Sequence, residues 1–120
     1  MHIKQGHGLT RAIKAVGYSL AGFRAAFRSE AAFREELVLV AVGIAAAFYF
    51  HVSGLERAVM IGSLLLVLIV EIINTAVETT IERISPEIHS LSKKAKDLGS
   101  AAVFLSLINV AAVWALILLG

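Results

Sequence analysis

The 120-residue chain has no cysteine and only one proline, and it carries little charge for its length. Without cysteine it has neither disulfides nor thiolate metal ligands, so its redox compartment cannot be read from its sequence. Charged residues make up 17% of the chain, whereas a typical soluble domain has about 25%. Because the hydrophobic residues, 58% of the total, come in long blocks, the composition favours a membrane protein.

The net charge of +2 is small, so the positions of the charged residues say more about possible partners than their sum does. The basic residues flank apolar blocks instead of forming one continuous patch, so no nucleic-acid partner is expected. The first 36 residues are dense in lysine and arginine and lack an uninterrupted apolar core. No cleavable signal peptide is therefore expected.

Three apolar blocks are the main feature of the chain. Residues 98–119 form 22 positions without a charge, about 33 Å as a helix, which is enough to cross a bilayer. Residues 58–77 form a second block, which only Glu71 and Asn74 interrupt. The first block, 37–52, reaches full length only by including residues 31–36. The sequence therefore predicts an all-α integral membrane protein, one domain over residues 1–120, with membrane helices at about 31–52, 57–84 and 97–119.

A basic amphipathic helix is predicted before these spans, at residues 9–28. Its apolar positions recur at spacings of 3 and 4, the rhythm of one helix face, with basic residues between them. Such a helix is expected to rest on the cytoplasmic leaflet. Ser29 is predicted to be the N-cap of the next helix, with Glu30 in its first turn. Residues 1–8 are expected to form a flexible tail, and Ser85 and Pro86 are expected to end the second span.

Lysine and arginine are distributed unevenly along the chain. Six precede the first span and four lie between the second and third, but only Arg57 lies between the first and second. The positive-inside rule then places the N-terminus and residues 79–97 in the cytoplasm, and the 53–57 turn and the C-terminus outside. The third span begins with small residues at 99–102, which allow another helix to approach closely.

A row of polar side chains crosses the middle span. Glu71, Asn74 and Glu78 are spaced i, i+3 and i+7, so they share one face of a helix, which Glu82 continues at i+11. A charged residue at the bilayer centre costs about 2.5–3.5 kcal/mol on insertion scales, and such residues are usually functional. The row therefore predicts a functional site. The alternative is an interhelical hydrogen bond that fixes helix or subunit register.

The chemistry of these groups fits phosphoryl transfer at a membrane surface. Carboxylate oxygens suit Mg²⁺, which usually keeps several waters and is completed by substrate phosphates. Lysines near such a site, among them Lys94 and Lys96, suit phosphate charge. A deeper carboxylate such as Glu71 is placed to take a proton from a lipid hydroxyl. Together, these carboxylates and lysines predict phosphoryl transfer from a soluble nucleotide to a lipid alcohol.

Five segments carry a resemblance to a known family. They are 71–78 (EIINTAVE), 30–36 (EAAFREE), 95–102 (AKDLGSAA), 8–11 (GLTR) and 14–19 (KAVGYS). In this order and spacing the chain resembles the prokaryotic diacylglycerol kinases, small three-span enzymes of the bacterial inner membrane. The resemblance implies a homotrimer, with active sites at subunit interfaces, that phosphorylates diacylglycerol with MgATP to give phosphatidate.

The resemblance also implies roles for individual residues. Glu71 would be the base on the lipid hydroxyl, and Asn74 would orient Glu71 or the substrate. Glu30 and Glu78 would hold Mg²⁺ on the ATP phosphates, and Lys96 would neutralise the transferring phosphate. The active site would then lie at the cytoplasmic side of the membrane, with the C-terminus in the periplasm.

The nucleotide pocket implied by the resemblance includes further residues, namely Arg11, Tyr18 and Asp97. His89 is a candidate neighbour of the nucleotide. The chain departs from the family signature at Ile81 and Glu82, where the signature has valine and aspartate. It also departs around residues 85–88, where an aromatic side chain and no proline are expected, so the contacts of the adenine stay open.

Two other functions are open at this point. One is an undecaprenol kinase of the same fold, although segment 30–34 resembles the diacylglycerol branch more closely. The other is a small proton-coupled transporter in which a buried glutamate such as Glu71 carries the proton. A transporter would have no need of Glu30 or Lys96.

Overall fold

The computed structural model describes residues 8–83 and 89–120, apart from the side chain of His89, and it consists of four α-helices. They are α1 (Gly8–Ser29), α2 (Ala31–Tyr49), α3 (Gly54–Arg83) and α4 (His89–Leu119). An all-helical chain is what the apolar blocks predict, and this part of the prediction is confirmed for the described residues. Residues 1–7 of the expected tail and the break expected at Ser85 and Pro86 lie outside the described residues.

Residues 8–31 form a unit of their own, which is essentially α1. This helix is continuous, and its apolar residues Leu9, Ile13 and Phe23 are at least half exposed within the chain. The prediction that Ser29 caps the next helix is wrong. Ser29 is the last residue of α1, and its hydroxyl donates to the Ala25 carbonyl at 2.9 Å. The position before α2 is taken by Glu30, since the backbone continues helical hydrogen bonding one residue further than predicted.

Residues 32–120 form the second unit. In it α3 packs closely against α4 and contacts α2 through side chains, and both neighbours run antiparallel to it. On one side, Leu64 of α3 lies against Gly43 of α2. On the other, the indole Nε1 of Trp114 in α4 donates to the carbonyl of Met60 at 3.3 Å. Because α3 lies between two helices, one continuous face of it is buried.

The turn between α2 and α3 occupies residues 50–53 instead of the predicted 53–57, because α3 already begins at Gly54. A capping box fixes this start: Ser53 N donates to Glu56 Oε1 at 2.9 Å, and Glu56 N donates to Ser53 Oγ at 3.1 Å. The guanidinium of Arg57 donates to three carbonyls at the end of α2 and beyond it, those of Ala47, Phe50 and Val52. Arg57, in the first turn of α3, is therefore a cap for α2.

Two of the four helices, α3 and residues 90–119 of α4, are long and apolar enough to cross a membrane. The 19-residue α2 carries three charges near its start and does not meet the same test. Helix α4 starts at His89, so the lysine-rich segment before residue 97, predicted as a polar connection, is helical. Its polar composition is typical of an exposed helix as well as of a loop, and Lys93 and Asp97 form an i, i+4 ion pair along it.

Candidate functional site

The buried face of α3 changes character halfway along the helix. Its first part is apolar, with Met60, Leu64 and Val67 fully buried. At the next positions of the same row stand Glu71 and Asn74, which are only 3% and 8% exposed. Further on, Glu78 is half-buried and Glu82 is exposed. The four polar residues therefore lie on one face, as their spacing predicts, and are progressively more exposed towards the end of α3.

The carboxyl group of Glu71 faces another carboxyl group. Glu36 of α2 lies within hydrogen-bonding reach of Glu71, and Oε1 of Glu36 is buried without a partner among the described residues. The hydroxyl of Thr75 donates a long hydrogen bond, 3.4 Å, to Oε2 of Glu71. A hydrogen bond between two carboxyl groups requires a proton on one of them. The two groups can therefore share one proton.

The sequence places Glu36 among the acidic residues at the cytoplasmic ends of the first two spans but assigns it no role, because by spacing alone it is equally well an ordinary charge in the first turns of a helix. The sequence feature that places it near the site is its position in the chain, since it is the last acidic residue before the apolar block 37–52. Only the antiparallel packing of α2 on α3 brings it to Glu71, which is 35 positions away.

Asn74 lies on the same face of α3 as Glu71, at the edge of that face that contacts α4. Its Oδ1 atom is buried and has no hydrogen-bond donor among the described residues. It faces Gly99, where a side chain would collide with it. The close approach expected at the small residues 99–102 is therefore found at Gly99. Asn74 and Gly99 also line a small cleft of about 160 Å³, with otherwise apolar walls formed by α3 and α4.

The cationic part of the predicted site lies at the start of α4. Lys96 and Asp97 are both exposed, and Asp97 pairs with Lys93 at 2.6 Å. Lys93, interpreted from the sequence as a charge that sets topology, thus neutralises a residue implied in the nucleotide pocket. Three further predicted residues, Arg11, Tyr18 and Glu30, belong to the separate unit of residues 8–31. Arg11 and Tyr18 are exposed and Glu30 is half-buried.

In the part of the chain that the structure describes, no three acidic or histidine side chains converge as a metal cluster. Mg²⁺ in kinase sites is usually held by one or two carboxylates together with substrate phosphates and water. A half-buried carboxylate such as Glu78, next to the exposed end of α3, is a ligand of the kind this arrangement needs.

Comparison with known proteins decides the family. The model of the family described as prokaryotic diacylglycerol kinase matches residues 17–118. The chain belongs to this family. It is 57% identical over 113 residues to the diacylglycerol kinase of Pseudomonas aeruginosa, covering 94% of this chain and 92% of that protein. It is 47% identical over 111 residues to that of Escherichia coli, covering 92% and 91%.

A more distant relative, the diacylglycerol kinase of Helicobacter pylori, is 37% identical over 113 residues, or 94% of this chain and 88% of that protein. The family match begins within the first unit, at residue 17, and extends to residue 118 of the second, so it includes all the residues assigned above except Arg11. The resemblance seen in the sequence is thus confirmed. The two apolar helices and the family together indicate a membrane protein.

Proposed function

We propose that this protein transfers the γ-phosphate of ATP to the hydroxyl of diacylglycerol, giving phosphatidate. Its family and the names of its relatives support this reaction. The observation that carries the proposal in this chain is the buried carboxyl group of Glu71, which faces the half-buried Glu36 and lies on a helix apolar enough to span a bilayer. Such a pair offers a proton acceptor at a depth that a lipid hydroxyl reaches and a soluble substrate does not.

In the proposed reaction the oxygen of the lipid hydroxyl attacks the γ-phosphorus. The bond between this phosphorus and the β,γ-bridging oxygen breaks, and ADP leaves. The hydroxyl proton passes to the carboxylate of Glu71, whose partner Glu36 helps to hold it. Asn74 orients the acceptor or Glu71, and Lys96 balances the negative charge of the transferring phosphoryl group.

Mg²⁺ is proposed as the metal of this site, held by Glu30 and Glu78 on the ATP phosphates. Their hard oxygen atoms suit this ion, and two carboxylates with phosphates and waters are a sufficient set. When bound, Mg²⁺ neutralises charge that develops on the phosphates. Arg11, Tyr18 and Asp97 are proposed to bind the nucleotide, with the Lys93–Asp97 ion pair at the edge of that pocket.

Assembly and orientation complete the proposal: three membrane helices, α2 to α4, in a homotrimer with its active sites between subunits. A single chain leaves most of α4 uncovered, which supports partners around it. In the bacterial inner membrane, the N-terminus and active site would be cytoplasmic and the C-terminus periplasmic. The mass of the detergent-solubilised protein should equal three chains. A dimer mass would contradict the homotrimer. A cysteine introduced by Gly120→Cys into this cysteine-free chain should react with a membrane-impermeant thiol reagent added to intact spheroplasts. Protection of that cysteine would contradict the periplasmic C-terminus.

An assay with two lipid acceptors tests the function. Purified protein in mixed micelles with MgATP should transfer phosphate to diacylglycerol and not to undecaprenol. The relatives reported above are named diacylglycerol kinases, so the undecaprenol alternative is not favoured. Labelling of undecaprenol alone would overturn the proposed acceptor. Labelling of neither lipid, together with proton flux in liposomes, would replace the kinase with the transporter.

A further inference from the structure

Gly99 of α4 lies directly against Asn74 in the polar part of α3. A methyl group on its Cα would occupy the place of the Asn74 amide oxygen and come within 3.1 Å of its Cγ. Asn74 is 92% buried, since 8% of it is exposed, and this oxygen has no hydrogen-bond donor among the described residues. An unsatisfied buried amide oxygen is costly, so this arrangement is not explained by stability.

The contact has a consequence for the rest of the amide group. An asparagine side chain has one oxygen that accepts and one NH₂ group that donates two hydrogen bonds. With its oxygen held against the backbone of α4, the group that remains for hydrogen bonding is the NH₂. A donor in this row is suited to the carboxylate of Glu71, three residues earlier, or to the oxygen of an acceptor alcohol.

We propose that Gly99 is a positioning residue, which by having no side chain fixes the orientation of the Asn74 amide. This inference rests on the proposed function, in which Asn74 orients Glu71 or the lipid hydroxyl. Gly99 itself touches no substrate. Its contribution is the space that it leaves on α4, because any larger residue would force the Asn74 side chain to rotate or shift.

The first test is Gly99→Ala. Displacing a positioned group by about 1 Å costs about 100-fold in rate, so kcat should fall about 10- to 100-fold. KM for MgATP should stay at its native value, since the amide is proposed to act on the acceptor side. Thermal unfolding in detergent should show a folded protein, because the nearest obstacle is the end of a side chain that can move.

A double-mutant cycle separates the positioning role from any other effect of the alanine. Asn74→Ala should also lower kcat, and Gly99→Ala combined with Asn74→Ala should be no slower than Asn74→Ala alone. If Gly99→Ala does not accumulate in membranes, the double variant is compared with Asn74→Ala, since the truncated side chain leaves room for the new methyl group. An equal kcat again supports the inference, and a further loss overturns it.

Two other outcomes distinguish this inference from the proposed function. A Gly99→Ala protein with native kcat, beside an impaired Asn74→Ala protein, would overturn the inference and leave the role of Asn74 intact. A fully active Asn74→Ala protein would remove Asn74 from the proposed mechanism, and the inference with it.

Gly43 provides a matched control at the other helix contact. A methyl group there would meet the Leu64 side chain at 2.5 Å, which is an apolar collision of the same kind. Gly43→Ala is therefore expected to lower the unfolding temperature and leave the kcat of the folded protein unchanged. If Gly43→Ala and Gly99→Ala lower kcat by the same factor, the loss comes from disturbed packing and the inference fails.

Discussion

Replacing Glu71 with glutamine is expected to lower kcat by about 10²- to 10⁴-fold, the range that a general base contributes. Glutamine has nearly the same shape but does not take up the proton of the lipid hydroxyl. The KM for MgATP should change little, because Glu71 is proposed to act on the acceptor hydroxyl and not on the nucleotide. Steady-state kinetics with diacylglycerol in mixed micelles, at several MgATP concentrations, measure both quantities.

Folding should survive this substitution. A glutamine amide can hydrogen-bond to Glu36 without sharing a proton, so the buried contact between α2 and α3 is kept. Glu82→Gln is the matched control, since Glu82 is exposed on the same helix and has no assigned role. A Glu71→Gln protein with native turnover would mean that another group accepts the proton, and Glu36 would be the first candidate.

Replacing Glu78 with glutamine is expected to weaken Mg²⁺ binding and not to affect proton transfer from the lipid hydroxyl. Loss of a supporting contact around a metal costs about 10- to 100-fold in affinity, and loss of a ligand should cost at least as much. The Mg²⁺ concentration for half-maximal activity should rise accordingly, while activity recovers in part at high Mg²⁺. The measurement is a titration with free Mg²⁺ at fixed ATP and saturating diacylglycerol.

Two further glutamine variants show whether the shift in the Mg²⁺ titration is specific to the proposed ligands. Glu82→Gln should titrate like the native protein, because it removes a charge of the same sign one turn further along. Glu30→Gln should shift the titration in the same direction as Glu78→Gln, since both are proposed ligands. An unchanged midpoint for Glu78→Gln would exclude it from the ligand set.

Local sequence patterns predicted the helices well and their ends poorly. Apolar blocks and spacings of 3 and 4 residues indicate helices directly, because they reflect the helical repeat itself. Helix ends depend on single hydrogen bonds, such as that from the Glu30 N–H to Ala26, which displaced Ser29 from its predicted role as a cap. The capping box of Ser53 and Glu56 is different. Its spacing of three residues is visible in the sequence and indicates the start of α3 at Gly54, three residues before the predicted start.

What the sequence by itself determined is the set of functional groups and the face on which they lie: Glu71, Asn74 and Glu78 share a face because the helical repeat places them there. Its motifs also indicated the family. What only the tertiary structure decided is which groups meet across helices. Glu36 reaches Glu71 over 35 positions, and Gly99 reaches Asn74 over 25. Contacts between helices depend on how the helices pack, and the period of a single helix holds no information about its partner.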